Sequence, residues 1–104
     1  MMNIQKMMKQ VQQAQQRMAA VQEELAGKTV DATAGGGMVK VVVSGDGMLQ
    51  SISLEKEVVD PEDVDMLQDL IVAAVNEGKR RASELAAAEM QKAAGGMGLP
   101  PGMF

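Results

Sequence analysis

The chain has 104 residues, a formal charge of −4, eleven Met and one Phe, and no His, Cys, Trp or Tyr. Without His or Cys it lacks the commonest general base, the thiol nucleophile and the usual zinc and iron–sulfur ligands, so no catalytic, cofactor or metal residues are expected. A single small domain with so little aromatic bulk buries little area per residue, which favours a homo-oligomer that covers leftover apolar surface.

The opening stretch "MMNIQKMMKQVQQAQQ" has no continuous apolar run, and nothing in the chain approaches the length of a membrane span. A cytoplasmic chain without signal segment, membrane contact or small-molecule substrate is expected. From about residue 3 to 26 the apolar residues recur at alternating spacings of three and four. Ile4, Val11, Met18 and Leu25 take heptad position a, and Met7, Ala14 and Val21 take d. Gln, Lys and Glu fill the other positions and Gly27 follows the last seam residue, so a long helix is predicted.

From Lys28 to Leu54 the period changes to two. "KTVDATA" sets Val30, Ala32 and Ala34 on one face, and "MVKVVVS" does the same for Val39, Val41 and Val43. "GGG" at 35–37 is a reversal and "GDG" at 45–47 a hairpin turn, because glycine supplies positive φ without steric cost. "LQSISL" follows with Ile52 and Leu54 facing one way, completing a three-stranded antiparallel meander.

"DPEDVDMLQDL" opens a second helix, with Asp60 as the expected N-cap and Pro61 at the first helical position. Its apolar stripe passes through Val64, Leu67, Ile71, Ala74, Gly78, Ala82 and Leu85 and can continue to about Ala94. Small residues at 74, 78 and 82 suggest that another helix approaches closely there. The fold class is therefore α+β, a single α-β-β-β-α domain over residues 1–94. The Gly/Met/Pro stretch 95–104 is expected to be a flexible tail.

Charge is unevenly placed. Residues 1–22 carry +3 with no acid, residues 23–78 carry −9, and residues 79–104 carry +2. If the two helices lie antiparallel, counted back from Ala26 and forward from Pro61, Lys79 falls abreast of Met8. Lys6 and Lys9 then lie beside Lys79, Arg80 and Arg81, roughly 27 Å from the sheet. The expected basic surface comprises these five residues, with Arg17 and Lys92 as outer members. The competing reading makes Lys79 and Arg81 a solvated surface, paired with Glu77 and Glu84 at helical spacing.

The order of helix, "GGGMVKVVVSGDGMLQSISL", "DPEDVDMLQDLIVAAVNEGKRRASELAAAEMQK" and a Gly–Met–Leu–Pro tail closely resembles the YbaB/EbfC family of bacterial nucleoid-associated proteins. The similarity covers essentially the whole chain. It implies a small homodimer, likened to tweezers, whose paired helices project from a β-sheet body and bind double-stranded DNA in the cytoplasm and nucleoid. The charge map supplies only a compatible surface for that function. A protein-interaction module that grips a partner protein with its protruding helices is the alternative from another class.

Overall fold

The computed structural model describes residues 3–96. The order of elements is α1 (Ile4–Ala26), β1 (Thr29–Ala34), β2 (Val39–Ser44), β3 (Leu49–Leu54), a short 3-10 turn (Lys56–Val58) and α2 (Val64–Gly96). The strands form one antiparallel sheet in the order β1-β2-β3. The expected meander and both long helices are therefore present.

Period-two patterning sets the register. Val30, Ala32 and Ala34 lie opposite Val43, Val41 and Val39, which in turn lie opposite Leu49, Ile52 and Leu54, with one irregularity at Val42/Val43. All nine therefore share one face of the sheet. The glycines at 35–37 and Gly47 hold positive φ in the two reversals. The buried Ser44 closes the second turn, its N–H donating to Met48 O at 2.8 Å and its hydroxyl accepting from Met48 N–H at 3.1 Å.

Helix α2 seats on that face. Ala74 and Ala82 are buried against Ala32, Val39, Val41 and Val43. A Cβ added to Gly78 would lie 2.7 Å from Val43 Cγ2 and 3.0 Å from Val41 Cγ2. The small-residue stripe thus meets the valine ridge of β2. This corrects the expectation that a helix approaches there. A valine ridge stands high off a pleated sheet, so the helix comes close only where its own side chains are smallest.

Two further expectations are corrected. Asp60 does not cap α2. Its carboxylate accepts from Glu62 N–H at 2.9 Å in a turn, and Asp63 takes the cap role by accepting from Met66 N–H at 3.2 Å. The helix starts at Val64 and ends at Gly96, two residues past the expected stop. The rest of the expected tail, 97–104, lies outside the described residues.

The second correction concerns how the helices align. The first half of α2 is spent on the sheet, passing Leu70 beside Gly35 at one end and Lys79 beside Gly47 at the other. Only beyond that does it run along α1, where Lys28 Nζ meets Glu89 Oε1 at 3.0 Å. A six-residue strand spans about 20 Å, which uses about thirteen residues of helix. A count of the arm from Pro61 therefore places α2 much too far along α1. The root of α1 is fixed separately. Leu25 is fully buried, and a Cβ on Gly45 would fall 2.6 Å from the Leu25 carbonyl oxygen. The molecule is long and narrow, 73 × 22 × 17 Å.

Gly78→Ala separates helix propensity from packing. Alanine is worth about 1 kcal/mol more than glycine inside a helix, but its methyl would press on two buried valines with stiff side chains. Net destabilisation of about 1–2 kcal/mol is expected from urea unfolding, since overpacking of this kind costs about 1–3 kcal/mol. A more stable variant would show that the helix does not sit on this ridge.

Candidate nucleic-acid interface

The N-terminal part of α1 is the one long stretch of positive charge without acid. Asn3 sets its start, the side chain accepting from Lys6 N–H at 3.3 Å. From there to Gln22 the helix contains Lys6, Lys9 and Arg17 and no carboxylate. All three are exposed, and among the described residues none pairs with an acid. Lys6 and Lys9 lie off the apolar seam, at heptad positions c and f, so packing does not constrain them. The positive end of the helix macrodipole lies in the same turns and adds to the attraction for anions.

The cations of α2 are arranged differently. Lys79 Nζ donates to the Gly47 carbonyl in the β2–β3 turn at 3.0 Å. Arg81 donates to the Asp31 carbonyl on edge strand β1 at 2.8 Å and to Glu77 Oε1 at 3.1 Å. Arg80 forms a two-pronged pair with Glu77 at 3.0 and 2.5 Å and also reaches Glu84. Lys92 is a looser neighbour of Glu89 at 3.9 Å and is largely exposed.

Lys79 and Arg81 therefore hold the two sides of the sheet to the helix above it, and Arg80 is neutralised within its own helix. Lys6 and Lys9 do not join them. Along α1 from Lys28, and along α2 from Glu89 in the opposite direction, the two groups are about 40 Å apart. This corrects the expected pooling of five cations at one level of a paired arm. Sequence reasoning missed the clamping role of Lys79 and Arg81, although Gly78 was its signal. A helix residue that must sit on the sheet puts its immediate neighbours within reach of the strand ends.

The arginines leave a mark on Glu77. Hydrogen bonds from Arg80 and then Arg81 hold its carboxyl well below the ordinary value, at about 2. The Lys28 ammonium likewise lowers Glu89, and the Glu77 partnership raises Arg80. These pairs are solvated, so each adds little to stability.

The sequence model of the YbaB/EbfC DNA-binding family matches residues 1–97. The chain is 57% identical over 101 residues to a nucleoid-associated protein of Syntrophobacter fumaroxidans, covering 93% of this chain and 92% of that one. It is 54% identical over 102 residues to a nucleoid-associated protein of Acetivibrio thermocellus, covering 98% and 90% respectively. The crystal structure of the uncharacterized protein HP0035 from Helicobacter pylori shares the fold, with a TM-score of 0.73 at 21% identity over 81% of this chain and 88% of that chain.

Titration of Glu77 tests the pairing directly. A depressed carboxyl contributes stability that is fully present above its ordinary value of 4.5 and is lost as pH falls through about 2. By carboxyl NMR, the midpoint is expected near that lower value in the native chain. Replacing Arg80 and Arg81 together by Gln should return it to the ordinary carboxylate range. A native midpoint already in that range would show that the arginines are not held by Glu77.

Proposed function

Because this chain belongs to the YbaB/EbfC DNA-binding family, we propose that it is a nucleoid DNA-binding protein that grips the phosphate backbone of duplex DNA chiefly with α1, as a homodimer. The observation that carries this reading is the unpaired charge of α1. Lys6, Lys9 and Arg17 project from a helix with no acid before Glu23, whereas Arg80 and Arg81 are already matched by carboxylates. Lys92, exposed beside α1, is a fourth contact. Phosphate attracts all four without reading sequence, and the relatives' naming as nucleoid-associated proteins fits a ligand presented by the whole chromosome.

The same contrast makes Lys79, Arg80 and Arg81 secondary in DNA contact. To reach phosphate, Lys79 and Arg81 would have to release backbone carbonyls, and Arg80 would have to release Glu77 and Glu84. Residues 23–78, with their −9 charge, form the opposite pole. This acidic body repels the duplex and leaves the arm as the part that approaches it.

A second copy of the chain accounts for the uncovered side of the sheet. One helix is about 10 Å wide and strands are about 4.8 Å apart, so α2 covers β1 and β2 and leaves β3 open. Leu49, Ile52 and Leu54 lie on the inner face yet are exposed. Burying them against a partner removes an apolar edge strand from water. Ile52→Lys is expected to convert the dimer to monomer in sedimentation equilibrium. A dimer that withstands this change uses another surface.

Salt titration tests the DNA reading. Four contacts per protomer in a dimer neutralise about eight phosphates, which sets a log–log salt slope of about −7. Replacing Lys6, Lys9 and Arg17 together by Gln should remove about five of those seven units. Replacing Lys79, Arg80 and Arg81 by Gln should leave the slope largely intact and lower thermal stability instead. The reverse pattern would move the contact to α2, and a native slope near zero would leave partner-protein binding as the function.

A further inference from the structure

The heptad seam of α1 is covered along only part of its length. Leu25 is buried, and Val21, Met18 and Ala14 are half-buried, where α2 runs alongside and its own Ala94 is buried. Further out the pattern continues but, among the described residues, the cover stops. Ile4, Met7 and Val11 are 71%, 44% and 55% exposed, and Met8 beside them is 61% exposed. With Gln12 these side chains line an apolar groove of about 420 Å³.

We propose that this groove is the docking site of residues 97–104 of the same chain. Three observations favour that occupant. First, α2 runs antiparallel to α1, so at Gly96 the chain is already heading toward the exposed end of the seam. Second, the length fits. Counted from the Lys28–Glu89 contact, Gly96 lies abreast of about Val21, so the seam from there to Ile4 is about 25 Å long, and eight residues in the extended form that Pro100 and Pro101 favour span about 25 Å.

Third, the composition fits. "MGLPPGMF" supplies Met97, Leu99, Met103 and Phe104, the chain's single aromatic residue, and contains no charged side chain. Being tethered, it also acts at a high effective concentration. Docking on the seam leaves Lys6 and Lys9 free, because they occupy other faces of α1. The segment's role is to keep an apolar stripe from sticking to other molecules while the basic face stays open.

Oxidation of methionine by peroxide, read residue by residue by mass spectrometry, tests this in the full-length protein. Met7 and Met8 report on the groove. Met48, exposed on the distant β2–β3 turn, is the internal control. In a full-length variant carrying Leu99→Ser, Met103→Ser and Phe104→Ser, Met7 and Met8 are expected to oxidise several-fold faster than in the native chain, with Met48 unchanged. Equal rates in the two proteins would overturn the proposal. So would protection that grows with protein concentration, because a second copy would then be the cover. Mixing the native chain with an excess of isotope-labelled serine variant resolves the remaining case. Protection must stay with the native chain, and its transfer to the variant would place the segment on the partner and contradict the assignment.

Discussion

The seat of α2 on the valine ridge of β2 determines the rest of the layout. At Gly78 the helix backbone lies so close to Val41 and Val43 that even a methyl group would intrude. That contact fixes the height and direction of a 33-residue helix over a small sheet. From it follow the reach of Lys79 to the Gly47 carbonyl, the reach of Arg81 to Asp31, and the point at which α2 leaves the body to join α1. The tight approach of Gly45 to Leu25 fixes the root of α1 in the same way. Two glycines at close contacts therefore aim both helices. The body can be small because the helices are positioned by shape rather than by a large core.

This arrangement sorts the charges by task. Cations near the sheet serve the fold: they satisfy strand carbonyls or pair with acids one turn away. Cations on α1 have neither duty: among the described residues, Lys6, Lys9 and Arg17 pair with no acid and bond no strand carbonyl. An acidic protein thus presents an exposed basic surface on α1. Its negative charge stays with the body and the exposed positive charge extends along the arm. Coulomb forces over a Debye length of about 8 Å make this separation effective at physiological salt.

Most of the fold could be read from the residues. The heptad seam, the change of period at Lys28, the valine alternation and the two glycine turns give the elements and the residues that share a sheet face, because each is a local pattern with one physical explanation. The site was harder. Lys6, Lys9 and Arg17 were recognisable as a basic stretch, but their distance from Lys79–Arg81 was not. That distance depends on how much of α2 the sheet consumes, and no local pattern states it. The small residues at 74, 78 and 82 contained the answer, yet they mark a close neighbour without saying whether it is a helix or a sheet. Asp60 misled for a similar reason. An Asp-Pro pair opens a turn as readily as a helix, and Asp63 was available three residues on to cap the helix itself.

The distance between Lys9 and Arg80 tests this geometry most directly. The chain has no cysteine, so Lys9→Cys and Arg80→Cys accept spin labels at these sites alone, and dilution into excess unlabelled protein isolates the pair within one protomer. Pulsed electron–electron resonance should give a single distance of about 40 Å, set by helical rise along α1 and α2 in opposite directions from their meeting point. A distance of about 10 Å, that of side-by-side helices, would mean that α2 lies along α1 rather than across the sheet, and the proposed division of the cations between fold and DNA would fail with it.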